Sequence, residues 1–175
     1  MVDNTKRGII TFSYDSEKLF NDVSLLSAFM TKNLVSEAGS MLDEFCITED
    51  EKEIYEECLK QALPNIYEAV IMITPCFDAF DDGIKAETET KASEETETSA
   101  VNIAIKDNGS YNYNVLTLVD ATLNNCIKYG VLVEFYSICV HDGLLGIAKQ
   151  KFDTNLLQLK QRLFQLKKKS VSSQL

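Results

Sequence analysis

The chain has no tryptophan, a single histidine, two prolines and seven glycines in 175 residues. One histidine, His141, rules out a histidine-based metal cluster or a histidine pair. The glycines are scattered, and none falls into G-x-x-x-x-G-K-[ST] or G-x-G-x-x-G, so no phosphate-cradling loop is expected. "GLLG", 143–146, lacks the basic loop of a nucleic-acid clamp. The five cysteines (Cys46, Cys58, Cys76, Cys126, Cys139) are odd in number and contain no Cys-x-x-Cys. That pattern predicts free, buried thiols in a reducing compartment, not a disulfide frame. No apolar h-region follows the N-terminus "MVDNTKRGII", so a signal peptide is not expected. The longest apolar-rich stretch, "YGVLVEFYSICV" at 129–140, is too short to span a membrane and contains Glu134. These absences predict a soluble protein made in a cytoplasm.

What is present is a globular composition, 45% hydrophobic and 25% charged, with a net charge of −10. Its length favours one domain with a full core, and its acidity argues against general nucleic-acid affinity. The charge is uneven. Residues 144–175 carry Lys149, Lys151, Lys160, Arg162, Lys167, Lys168 and Lys169 against Asp153, a net of +6 that leaves −16 for the remainder. Such polarity suits head-to-tail contact between copies or docking on a charged partner. A helix with basic residues at its C-terminal end, favoured there by the dipole, accounts for it equally well.

Periodicity gives mostly helices. "GIITFSY", 8–14, reads as a short strand or arm. Asp15 or Ser16 can cap a following helix whose Leu19, Phe20, Val23, Leu26 and Met30 share one face, broken at Gly39. In "TEDEKEIYEECLKQALPNIYEAVIMIT", Thr48 and Glu51 make a capping box. Ile54, Cys58, Ala62, Ile66, Ala69 and Ile73 form its stripe, Pro64 predicts a kink, and Pro75 closes the segment. Val101, Ile103 and Ile105 alternate as a strand before the turn signal "DNGS". Its partner is sought in "CFDAFDDGIKAETET", making a β-hairpin over 76–112. The tip of that hairpin is the acidic tract 86–100, "AETETKASEETETSA", with Glu87, Glu89, Glu94, Glu95 and Glu97. Dense Glu there discourages edge pairing.

Two long helices follow. The first carries Val115, Val119, Thr122, Cys126, Gly130 and Val133 on one face. Its second half, 131–140, is apolar nearly all round, which predicts burial on all sides, with neighbouring subunits as one means of covering it. A strand over 131–136 is the competing reading. After the turn "HDGL", Leu145, Ala148, Phe152, Leu156, Leu159, Leu163 and Leu166 form a coiled-coil-like seam, with Leu157 and Phe164 as a second apolar edge. The architecture is therefore mainly α: a single domain built as a helical bundle of about four helices with a protruding β-hairpin. An arm and two helices occupy 1–75, the helical hairpin occupies 113–169, and 170–175 is a polar tail.

The search for chemistry returns little. A Cys139–His141 dyad lacks a third orienting group, and His141 reads as a capping or turn residue. "DAFDDG", 78–83, puts Phe80 where a calcium loop needs oxygen. Adjacent acids (Glu56/Glu57, Asp81/Asp82) point to different faces and do not form an acid–base couple. No catalytic residue, metal ligand or cofactor is assigned, and the residues read as an assembly part.

The order of elements resembles the head–tail connector, or neck adaptor, proteins of tailed bacteriophages and prophages. The likeness runs from about residue 15 to 169: an "LFNDVSLLSAF" helix, a "TEDEKEIYEECLKQAL" helix, an alternating strand entering "VNIAIKDNGSYNYNV", a long apolar helix, and a basic-ended last helix, "LLQLKQRLFQLKKK". The resemblance implies a non-enzymatic virion protein of the neck, made in the host cytoplasm. It implies a homo-oligomeric ring, commonly of about twelve copies, bound to the portal and to other neck or tail proteins, with genome DNA only passing through the lumen. It also implies portal docking through Lys167, Lys168 and Lys169, and an acidic loop facing the lumen or a neighbouring ring. The absence of tryptophan departs from similar proteins, whose penultimate helix carries bulky aromatics. Two other readings compete: a cellular acidic helical-bundle interaction or regulatory module, and an enzyme or ligand carrier using its apolar helices as a pocket.

Overall fold

A computed structural model describes residues 2–3, 9–32, 45–73, 100–106 and 111–167. Their element order is β1 (Val2–Asp3), β2 (Ile9–Asp15), α1 (Ser16–Lys32), α2 (Lys52–Ile73), β3 (Ala100–Lys106), α3 (Leu116–Ile138) and α4 (Asp142–Lys167). The fold is mainly α, a bundle of four helices with a small antiparallel sheet in the order β1-β2-β3.

The alternation in "VNIAIK" does make a strand, and its ladder is with β2. Ile10 faces Ile105, Phe12 faces Ile103 and Tyr14 faces Val101, and all six side chains are buried. Directly opposed apolar pairs on one face fix the register, because a one-residue slip would turn every one of them outward. A period of two identifies a strand but not its partner, so the sequence pointed to a neighbouring stretch while the structure uses the distant arm. The "CFDAFDDGIKAETET" stretch, Gly39, Pro75 and the acidic tract 86–99 lie outside the described residues.

Local caps behave as the sequence predicts. The Asp15 carboxylate accepts from the Lys18 amide at 2.7 Å, closing the start of α1. Ahead of α2, Glu51 accepts from the Thr48 amide at 2.8 Å and from the Thr48 hydroxyl, which holds its carboxyl below the usual range. The α2 helix runs through Pro64 to Ile73.

The helix α3 is the centre of the molecule. α2 and α4 both pack along it, and α1 packs against α3 and β2. Gly130 marks the closest approach: a Cβ there would stand 3.1 Å from the Ala62 Cβ on α2 and 3.2 Å from Phe152 Cε2 on α4. Residues 131–138 are helical, which removes the strand alternative. Val131, Leu132, Phe135 and Tyr136 are buried within the single chain, while Ser137 and Ile138 are exposed. The apolar side chains of this segment are therefore buried mainly by their own chain, chiefly through α2 and α4, and the burial on all sides that the sequence suggested stops short of its end.

Two of the predicted stripes rotate slightly. On α2, Tyr55 is buried and Ile54 exposed; on α4, Leu144 is buried while Leu145 and Leu156 are only half-buried. On α1, buried Ser27 and Thr31 stitch the helix to the 45–47 segment. Ser27 Oγ accepts from the Ile47 amide at 2.9 Å, the Ser24 hydroxyl donates to the Ile47 carbonyl at 2.6 Å, and Thr31 Oγ1 lies 3.1 Å from Cys46 Sγ. Burying these hydroxyls is tolerable because each has a partner.

Candidate functional site

Among the described residues, Cys139 and His141 lie at the junction of α3 and α4. Cys139 ends α3, and Val140 follows in the left-handed region at φ 52°. The His141 amide reaches back to the Tyr136 carbonyl at 3.3 Å and the Val140 amide to Ser137 at 3.4 Å, the paired closure of a Schellman turn. His141 then starts α4: its Nδ1 accepts from the Leu144 amide at 3.1 Å, and its ring stands edge-on to Phe45 at 4.7 Å. Its acceptor nitrogen is thus taken. Burial, with Glu51 adding to it, raises the Cys139 thiol, the opposite of what a nucleophilic thiolate needs. Cys58 is pushed up to about 11 and Cys126 to about 12, both chiefly by burial. Cys58 and Cys126 are the buried free thiols that the sequence predicts, whereas Cys46 and Cys139 are half-buried and Cys76 lies outside the described residues.

Among the described residues no three His, Cys, Asp or Glu side chains gather as a metal would require, and no helix is long and apolar enough to cross a membrane. "GLLG" lies in the first turns of α4. Glu57 pairs with Lys60 at 3.7 Å, and Glu56 beside it is exposed, so the two adjacent acids do not act together. The calcium-like "DAFDDG" and Asp81/Asp82 lie outside the described residues.

Polar contacts, most of them partly buried, join the elements. Tyr14 on β2 donates to the Asp120 carboxylate at 2.9 Å and to the Asp120 carbonyl at 3.1 Å, tying the sheet to α3. Burial and the Asp120 charge push the Tyr14 phenol well up. Lys128 and Asp22 join α3 to α1 at 3.2 Å. Arg162 on α4 donates to the Leu118 carbonyl at 2.6 Å and to the Thr122 hydroxyl, tying α4 to α3. The hydroxyls of Tyr55, Tyr67 and Tyr136 are buried without a hydrogen-bond partner among the described residues.

What remains open to a partner is on the outside. Leu157 and Phe164, 59% and 56% exposed, stand on the outer face of α4 as the second apolar edge that the sequence showed. Leu25 and Phe29 on α1, 73% and 66% exposed, form a second outward pair. Sequence reasoning passed over that pair, although its i, i+4 spacing off the core stripe was a legible signal. A third feature is an open groove of about 690 Å³ along α2, lined by Leu63, Pro64, Tyr67, Glu68, Ile71 and Met72 among others. Of the proposed docking lysines, Lys167 is half-buried at the end of α4, and Lys168 and Lys169 lie outside the described residues. So do Glu87, Glu89, Glu94, Glu95 and Glu97 of the acidic tract.

Compared with known proteins, the chain matches no family model, no curated protein and no solved structure.

Proposed function

We propose that this protein is a non-enzymatic structural part that works by packing its outer helix faces onto other subunits, and that its place is the head–tail connector of a tailed phage. One observation carries the assembly reading. Large apolar side chains remain on the outer faces of α1 and α4 after the core is complete: Leu25, Phe29, Leu157 and Phe164. Surface apolar residues scattered singly are ordinary, but aligned pairs on several helices are the mark of an interface. The apolar segment of α3 does not carry this reading, since Val131, Leu132, Phe135 and Tyr136 are buried within their own chain. The phage setting rests on the order of elements in the sequence, and it makes the portal and neighbouring neck or tail proteins the partners.

Mass photometry with negative-stain imaging tests the proposal, on the purified chain alone and mixed with the portal if one is encoded nearby. Rings, free or on the portal, are expected. A monomer or dimer that ignores the portal would overturn the connector reading in favour of a small acidic interaction module.

A further inference from the structure

The outer face of α4 and the groove on α2 carry matching patterns. Along α4, Lys149, Asp153, Leu157, Lys160 and Phe164 follow one another at spacings of three and four, so they share one stripe turned away from the core residues Ala148, Phe152, Leu159 and Leu163. Along α2, Glu57, Lys60, Pro64, Glu68 and Ile71/Met72 form the corresponding outward stripe, and the last four positions border the groove. Laid side by side and parallel, with residue 149 beside residue 57, the two stripes come level at Lys160/Glu68 and Phe164/Met72 and fall within one residue of each other in between. Lys149 meets Glu57, Asp153 falls within one residue of Lys60, and Leu157 within one residue of Pro64. Lys160 meets Glu68, and Phe164 reaches Ile71 and Met72. The two lysines are separated by the same rise as the two glutamates, roughly 16 Å on an α-helix.

Within one chain α2 and α4 touch beside α3, but Glu57, Pro64 and Glu68 lie on the exposed side of α2, opposite its buried stripe of Cys58, Ala62, Ile66 and Ala69. Among the described residues Lys149, Lys160 and Glu68 form no ion pair. We infer that α4 of one copy docks in the α2 groove of a second copy, Leu157 and Phe164 filling the groove and Lys149 and Lys160 pairing with Glu57 and Glu68. This inference rests on the assembly reading above and names the surface that performs it. The contact joins two different patches, so it is heterologous and propagates into a ring or an open filament instead of stopping at a dimer. Charge complementarity on this side sets the register, and the apolar groove supplies the buried area.

Charge reversal in the full-length protein tests it, read by sedimentation velocity, with circular dichroism to confirm helicity. One variant carries Lys149→Glu and Lys160→Glu; the other carries Glu57→Lys and Glu68→Lys. Each alone should raise the concentration needed for assembly by at least about tenfold. Mixed in equal amounts they should assemble again, because the reversed α4 of one fits the reversed α2 of the other and the unaltered faces still fit each other. Should either reversal disturb helicity, Phe164→Ser, at an exposed position, carries the same test: it should weaken assembly and leave melting unchanged. Assembly undiminished by these changes would mean that the groove is filled by another segment of the chain or another protein, and would overturn this interface while leaving the assembly reading intact. Loss of assembly without recovery on mixing would also overturn it. A wild-type chain that stays monomeric at every concentration, alone and with the portal, would overturn both.

Discussion

Gly130 and Gly146 lie in adjacent helices, and the same substitution should act on them in opposite directions. Glycine costs a helix about 1 kcal/mol relative to alanine at either place. At Gly146 no atom stands within 4 Å of an added Cβ, so Gly146→Ala should stabilise by close to that amount. At Gly130 the Cβ meets the Ala62 Cβ at 3.1 Å, an atom fixed to its own backbone. The three helices would have to separate, and Gly130→Ala should cost about 1–3 kcal/mol net, the usual range for overpacking. Urea denaturation of the two variants checks both signs. Val140 gives a third case at this scale. It is 81% exposed and sits at φ 52°, a region where a β-branched side chain is strained. Val140→Gly should raise stability by about 0.5–1 kcal/mol, less than the relieved strain because glycine also frees the unfolded chain. A lowered melting temperature would show that the Val140 side chain contributes a contact that its exposure does not suggest.

At the scale of elements, the start of α2 depends on a single carboxylate. Glu51 satisfies the Thr48 amide and lies in an acidic first turn beside Glu49 and Asp50, where the dipole favours negative charge. Glu51→Gln keeps the shape and removes the charge, and should cost about 0.5–1 kcal/mol. The pH dependence has a definite sign. The Glu51 carboxyl is held below its unfolded value, so its contribution is present above the ordinary carboxylate range and is lost as pH falls through that range and below. Thermal melts from pH 6 to pH 3 should show a shallower decline for the Gln variant than for the parent. An identical decline would mean that the capping box is not made in solution.

The whole molecule buries several groups that must stay protonated. Cys58, Cys126, Tyr14, Tyr55 and Tyr136 all have raised pKa values, first of all from burial, and each is neutral when protonated. An unfolded thiol gives up its proton near pH 9.0 and an unfolded phenol near 10.0, while their folded counterparts hold on longer. The stability they contribute is therefore complete below about pH 9 and is lost as pH rises beyond it. A scan of urea midpoints should be level on the alkaline side of neutrality and fall steeply above pH 9. Cys126→Ser should delay the onset of that fall, at the cost of weaker core packing at all pH values. A midpoint that stays level to pH 11 would contradict the burial of these groups.

Much of this organisation was legible locally. The Thr48–Glu51 box, the Asp15 cap, the turn at His141 and the seam of α4 each depend on residues within a few positions of one another, and local hydrogen bonding and helical period are written directly into the order of side chains. Leu157 and Phe164 could be named as an outer edge because their spacing opposes the core stripe on the same helix. Three features needed the tertiary structure. The partner of β3 is the distant strand β2, and alternation carries no information about which strand lies beside it. The burial of Val131, Leu132, Phe135 and Tyr136 on α3 is supplied by their own chain, which only the packing of the other elements could decide. And the commitment of Arg162 to Leu118 and Thr122, like the match between the outer faces of α2 and α4, depends on which side each helix turns away from α3. Sequence determines the elements and their ends; the competition among elements for the same apolar surface determines what is left over for a partner.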